Sequence, residues 1–465
     1  MKNRQTFEER MERLLYEYHV PGSIIAIAKH GKIVYEKAFG YKNVEKQEKI
    51  DGNTVFGLAS LTKSFTCVAI MQLAEKGKLN IHAPVIQYLP KFALENQEDL
   101  KKITVYHFMT HSSGLPPLPS LDYAMERERN DDSMVDYLEL PDLENQIMSY
   151  EQLMTYISES NVKLFAKPGN MFSYSNDAYG LLGAIIENVS GIPYEQYVLE
   201  NIILPCGMSH TNFMIEDFKS YENITSCYEI HEKDGQNEVY LAQDWWDAPA
   251  MRATGFLKST ANDMIVYASL FMNQGVVNGA RILTEESVKQ MLHPHMKMDP
   301  IKFYGYGLAI TLDYFGKKLV DHGGSLQSIS SKLAILPEEG ITAIVLSNLS
   351  GFPASRMMEC ALNAYFGRDL DADFLSKEEY VVESDTLSLY KGEYRSGEGM
   401  DVTIEIKDHH LLFTYNEKVY PIKFIKENVF LAYVDDVAEP VELLMDESDM
   451  VYAISIYHRI VPKVK

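Results

Sequence analysis

Apolar side chains at Phe7, Met11, Leu14, Leu15 and Tyr18 recur at helical spacing, so residues 6–18 are read as a helix. Pro21-Gly22 ends it and the period changes. Residues 23–28 are apolar and β-rich, His30-Gly31 supplies a turn, and residues 33–41 continue as the second strand of a hairpin. Residues 60–76 form an amphipathic helix by pattern, with Phe65, Val68, Ala69 and Leu73 on one face and Gly77 as its stop. Helical periodicity then dominates to about residue 274, through 176–190, 194–203 and 263–274. Between these segments, 118–143 and 221–247 are long polar and aromatic stretches with the character of lids or binding loops.

Short β-rich runs return at 306–312, 328–336 and 341–348, and 354–366 reads as a closing helix. A helix and hairpin at the start, helices in the middle, then strands and a helix predict an α+β fold. Its antiparallel sheet draws strands from both chain ends, is flanked by helices and carries an inserted helical lobe. This unit is expected to span residues 1–367, followed by an acidic linker at 368–384. Residues 385–465 hold evenly spaced runs at 402–406, 411–415, 419–424, 429–433, 441–445 and 451–456, which predict a small antiparallel β-barrel or sandwich.

Composition narrows the function classes. The 465 residues carry 43 Lys plus Arg against 66 Asp plus Glu, a formal charge of −23. Binding driven by phosphate neutralisation is disfavoured, which argues against nucleic acid and against an anionic membrane surface. Cys67, Cys206, Cys227 and Cys360 are scattered, without metal-binding spacing, and read as reduced thiols. No apolar run is long enough to span a bilayer and residues 1–17 lack the apolar core of a secretory leader, so the expectation is a cytoplasmic protein with no integral membrane segment.

Three strings carry candidate chemistry. In Ser60-Leu61-Thr62-Lys63 the spacing i, i+3 on a helix brings a hydroxyl and an amine to one face. A serine hydroxyl needs a base to become a nucleophile, and burial and the positive end of a helix dipole push a lysine toward that role. The unpaired N–H groups of a helix start suit an oxyanion. In Ser173-Tyr174-Ser175-Asn176, just before a predicted helix, Tyr174 is a candidate proton relay and Asn176 a candidate amide-binding side chain. In Asp321-His322-Gly323-Gly324-Ser325, paired glycines permit close backbone approach to a ligand and the following N–H can complete an oxyanion hole. Each string alone is an ordinary N-cap or turn.

Together and in this order, S-x-x-K, Y-x-N and H-G-G resemble the motifs of serine β-lactamases and penicillin-binding proteins. The Tyr-Ser-Asn form resembles the class C branch, with its D-alanyl-D-alanine carboxypeptidases, D-aminopeptidases and esterases. Met109-Thr110-His111-Ser112-Ser113-Gly114-Leu115-Pro116, the stretch from Gly255 to Met264, and Tyr304-Gly305-Tyr306-Gly307 support the resemblance over residues 7–366. It implies a serine hydrolase with Ser60 acylated, Lys63 as its activating partner, Tyr174 as proton relay, Asn176 orienting the substrate amide, and the Ser60 and Ser325 N–H groups as oxyanion hole. His322, Gly323, Gly324 and Ser325 would line the substrate, and neither metal nor cofactor is implied.

His322 departs from the family's usual lysine. Histidine is mostly neutral at pH 7, which disfavours a true β-lactamase. With the acidic balance it tilts the expectation toward neutral or cationic substrates, namely D-amino-acid peptides or amides and simple carboxylic esters. Penicillin or cephalosporin hydrolysis, and non-catalytic binding of penicillin or peptidoglycan fragments, are the alternatives. The tail resembles the lipocalin-like domain of several relatives, which implies access to the active site or homo-oligomer assembly. Asp321 beside His322 is a minor candidate for orienting the imidazole, residues 240–246 are a candidate substrate wall, and the pairs His293/His295 and His409/His410 read as surface loops rather than metal sites.

Overall fold

The computed structural model describes every residue except 2, 126–145, 219, 234–235, 243–244, 376–378, 397–398, 408–409, 435–436, 447 and 465. The apolar run predicted as the first strand is continuous, not alternating, because the strand is covered on both faces. β1 (Gly22–Lys29) sends Ile24, Ala26 and Ala28 into one core and Ile25 and Ile27 into another. It pairs with β2 (Lys32–Asn43) on one side and with β5 (Ile341–Ser347) on the other, which brings strands from the two ends of the region into one antiparallel sheet.

From β5 the sheet continues to β4 (Ile329–Leu336) and β3 (Leu319–Leu326), then to Ala309–Thr311, Lys302–Tyr304 and Met296–Lys297, while Glu48–Lys49 edges β2. One face carries α1 (Arg4–Glu17) and α4 (Ala354–Phe366). The other carries the inserted helices, including α2 (Thr62–Glu75) and α3 (Asn176–Ser190). The expected α+β layering is present.

Two helix and loop expectations change. The segment expected to be amphipathic is buried all round, since every residue of α2 from Thr62 to Leu73 is buried. Its polar residues are accommodated by bonds rather than by solvent: Thr62 Oγ1 donates to Ala59 O, Ser64 Oγ to Leu61 O and Thr66 Oγ1 to Ala253 O. Within 221–247, expected to be irregular, Tyr228–Lys233 and Gln236–Leu241 pair as a hairpin. Most of the other candidate lid, residues 126–143, lies outside the described residues.

The tail is β-rich with its own core around Tyr394, Phe413, Phe430 and Ile454, but among the described residues it does not form a closed barrel. Gly392–Arg395, Asp401–Lys407, His410–Tyr415 and Lys418–Tyr420 make one sheet. Ile422–Lys426, Val429–Val434, Val437–Met445, Val451–Ile456 and Arg459–Pro462 make a second, joined to the first by the bridge Tyr394–Lys463. Pro421, which has no N–H for a ladder, sits where a single strand over 419–424 was expected and marks the crossing between sheets.

Candidate active site

Short-range anchors hold the Ser60 turn in place. Phe56-Gly57 pairs with Lys258-Ser259, and Leu58 N–H donates to Leu257 O at 2.9 Å. The Leu58 carbonyl accepts from Ser331 Oγ of β4 at 2.8 Å. Ala59 then takes φ +45°, an uncommon conformation for a residue with a Cβ, and the turn Ala59–Leu61 delivers Ser60 to the start of α2. Gly324 of β3 packs against this turn. A Cβ there would lie 2.4 Å from Leu58 O and 2.3 Å from Ser331 Oγ, so only glycine fits. At Gly323 nothing but Ser331 O at 3.9 Å would meet a Cβ, and that position faces open space.

One turn into α2, Lys63 is fully buried and its Nζ has three acceptors: Ser60 Oγ at 3.1 Å, Asn176 Oδ1 at 3.0 Å and Thr254 O at 2.8 Å. Asn176 opens α3, whose N-cap Ser175 accepts from Ala178 N–H, so capping chemistry sets the direction of the Asn176 side chain. Since Asn176 Oδ1 accepts from Lys63, its amide N–H groups are left for a ligand. The Tyr174 ring centroid is 4.8 Å from Lys63 Nζ. Ser60, Tyr174, Asn176, His322, Gly323, Gly324 and Ser325 line one cavity of about 660 Å³. The structure thus gathers the three strings at one place.

His322 is neutral in this setting. Burial first, and Lys63 second, push its pKa down to about 3. Its Nδ1 is 2.6 Å from Gly323 O, a carbonyl that can only accept, so Nδ1 carries the proton and Nε2 accepts from Tyr304 Oη at 3.0 Å. Asp321 does not orient this ring. Its Oδ1 accepts from Lys332 Nζ at 2.8 Å; burial raises its carboxyl pKa, but Lys332 and Lys302 outweigh that and bring it to about 2.

A histidine whose folded pKa is depressed from 6.5 stabilises the fold fully above pH 6.5 and loses that contribution as pH falls toward 3. Urea unfolding at pH 7 and pH 4 should therefore show His322→Gln losing less stability on acidification than the parent protein. Equal losses would mean that His322 does not titrate this way.

Sequence reasoning missed several residues here. Thr254 contributes only a carbonyl, whereas Tyr304, named in the sequence as part of a supporting string without a role, enters through its hydroxyl. The least expected come from the tail: the two-residue turn Tyr457-His458 between Val451–Ile456 and Arg459–Pro462 lines the cavity. Both turn residues have positive φ, Tyr174 N–H donates to His458 O at 3.3 Å, and the Arg459 guanidinium carbon lies 4.3 Å from the Tyr174 ring centroid. The described part of 240–246 is absent from the cavity wall. His295 stacks on Tyr306 at 4.2 Å, and His409 lies outside the described residues.

Residues 3–363 match the family model described as Beta-lactamase. Protein flp of Staphylococcus aureus strain MW2 is 27% identical over 394 residues, covering 84% of this chain and 70% of that protein. Penicillin-binding protein 4* of Bacillus subtilis strain 168 is 23% identical over 478 residues, covering 96% and 98%. Among solved structures, the octameric penicillin-binding protein homologue from Pyrococcus abyssi superimposes with a TM-score of 0.69 at 27% identity over 99% of both chains. The matched span contains Ser60, Lys63, Tyr174, Asn176 and the 322–325 strand segment. The chain belongs to the β-lactamase family, and its relatives include penicillin-binding proteins.

Proposed function

We propose that the protein is a serine hydrolase that forms an acyl-enzyme on Ser60 and acts on small amides or esters, with D-amino-acid peptides and amides first. The observation that carries this reading is the buried Lys63 Nζ at 3.1 Å from Ser60 Oγ, with Tyr174 alongside. In this reading Ser60 Oγ attacks the substrate carbonyl while its proton passes to the Lys63/Tyr174 pair, and the Ser60 and Ser325 N–H groups receive the oxyanion. The tetrahedral adduct collapses, Tyr174 returns the proton to the leaving amine or alcohol, and water then releases the acyl group by the same route. The free amide N–H groups of Asn176 hold the acyl-side carbonyl. The test is adduct mapping by mass spectrometry after treatment with a fluorophosphonate and, separately, a fluorescent penicillin. Modification at Ser60 is expected, and its absence with both reagents defeats the reading.

Arg459 revises the substrate preference drawn from charge alone. His322 supplies no cation, but the tail brings a guanidinium to the same cavity. This supports substrates that carry a carboxylate, such as short peptides with a free C-terminus. A charge-assisted bond of this kind is worth about 1.5–3 kcal/mol. Arg459→Met is therefore expected to raise KM for such peptides by about tenfold or more, and to change a neutral nitrophenyl ester by less than about twofold. Equal losses on both substrates would reduce Arg459 to a packing residue.

The same reading assigns residues 385–465 to an accessory β-unit and to self-association. The Pyrococcus abyssi homologue is described as octameric. Sedimentation of the full chain should give species larger than a monomer, and a monomer alone would remove that assignment. No helix among the described residues is long and apolar enough to cross a membrane.

A further inference from the structure

We infer that His111 is the positioning residue for Tyr174, clamping the residues on either side of it as well as its ring. The inference rests on the serine-hydrolase reading for its catalytic consequence. His111 follows the short helix Val105–Met109 and has φ +52°. Its carbonyl accepts from Ser173 N–H at 2.7 Å, and its Nδ1 accepts from Ser175 N–H at 3.0 Å. Its ring stacks on Tyr174, with centroids 4.1 Å apart and planes at 28°. One residue thus holds three consecutive positions.

The identity of the side chain is informative. His111 is fully buried against the rings of Phe172, Tyr179 and Tyr304, a setting that phenylalanine would fill more cheaply. Because Nδ1 accepts a hydrogen bond, the neutral ring carries its proton on Nε2, which has no hydrogen-bond partner among the described residues. Burial, then the charges of Lys63 and Arg459, hold its pKa well below the ordinary value, so the ring stays an acceptor. The protein retains an unpaired buried N–H to keep an acceptor under Ser175. Ser175 caps α3, and Asn176 follows it, so the same bond sets the approach of both Tyr174 and Asn176 to Lys63.

Two measurements on the full chain test this. In nitrogen-15 histidine spectra of the unaltered protein, His111 should show an unprotonated Nδ1 and a protonated Nε2 throughout pH 5.5–9. A protonated Nδ1, or titration in that range, overturns the clamp whether or not Ser60 is ever acylated, and requires no variant to fold. The second measurement compares His111→Phe, which keeps ring volume and drops the acceptor, with His111→Asn, which keeps an acceptor and drops the ring. His111→Phe is expected to lower kcat by about 10–100-fold with KM within about twofold, as displacement of a catalytic group by an ångström does. His111→Asn should recover part of that loss. Unchanged kcat in His111→Phe, or no recovery in His111→Asn, overturns the inference. Failure of the unaltered protein to label at Ser60 would instead strike the serine-hydrolase reading and leave the tautomer result standing.

Discussion

Replacing Ser60 by alanine is expected to lower kcat/KM by at least about 10⁴-fold on every substrate and to remove the mass adduct with both covalent reagents. Neighbouring hydroxyls are committed elsewhere. Ser64 Oγ donates to Leu61 O and accepts from Tyr267, and Ser331 Oγ donates to Leu58 O. The residual rate should reflect the oxyanion donors and binding alone. Stability should change by no more than about 1 kcal/mol, because Ser60 is only half-buried and no core packing is lost. Urea unfolding alongside the rate assay separates loss of the nucleophile from loss of the fold. If Ser60→Ala retains turnover, the hydrolase reading fails. If the unaltered protein has no turnover to lose but binds penicillin reversibly, the non-catalytic binder takes its place.

The sequence carried the part of the site that depends on local geometry. The i, i+3 relation of Ser60 and Lys63 follows from helix pitch, and the N-cap chemistry of Ser175-Asn176 follows from the predicted start of α3. The paired apolar strands around β1 and β5 were likewise visible as continuous β-rich runs. What remained hidden depends on chain segments far apart in sequence. Arg459 opens the strand that follows the Tyr457-His458 turn in the tail, and nothing in its local pattern says that Tyr174 lies opposite. Thr254 serves through its carbonyl, which no residue type reveals. The strands Met296–Lys297 and Lys302–Tyr304 are too short to show a period. The tail's strands were readable, but barrel closure depends on pairing between strand ends, and the two sheets meet at the Tyr394–Lys463 bridge and the adjoining Val464 N–H to Glu393 O bond. The amphipathic reading of α2 failed because its polar residues are paired internally, a pattern that sequence alone cannot distinguish from a solvated face.

Replacing Lys63 by methionine separates the proposed catalytic role of this buried amine from its structural cost. Methionine fills a similar volume but provides no donor to Ser60 Oγ and no amine to take part with Tyr174 in moving its proton. Acylation of Ser60 is expected to slow by about 10³-fold or more, in keeping with loss of a group that moves the nucleophile's proton. The stability term should run the other way or be near zero. Burying a charge carries a desolvation penalty that its partners often only just repay, and Ser60 Oγ, Asn176 Oδ1 and Thr254 O, which accept from Nζ, are neutral groups. The loss leaves Asn176 Oδ1 and Thr254 O without that donor, at a cost of about 1–3 kcal/mol each if water does not replace it, whereas the cavity beside Ser60 and Asn176 gives water a route to the amide oxygen. The expected result is therefore a protein with a melting temperature equal to or above that of the parent and almost no acylation, the signature of a side chain retained for chemistry against stability. A variant that loses several degrees of melting temperature in proportion to its activity would instead make Lys63 a structural residue, and the base would have to be sought in Tyr174 alone.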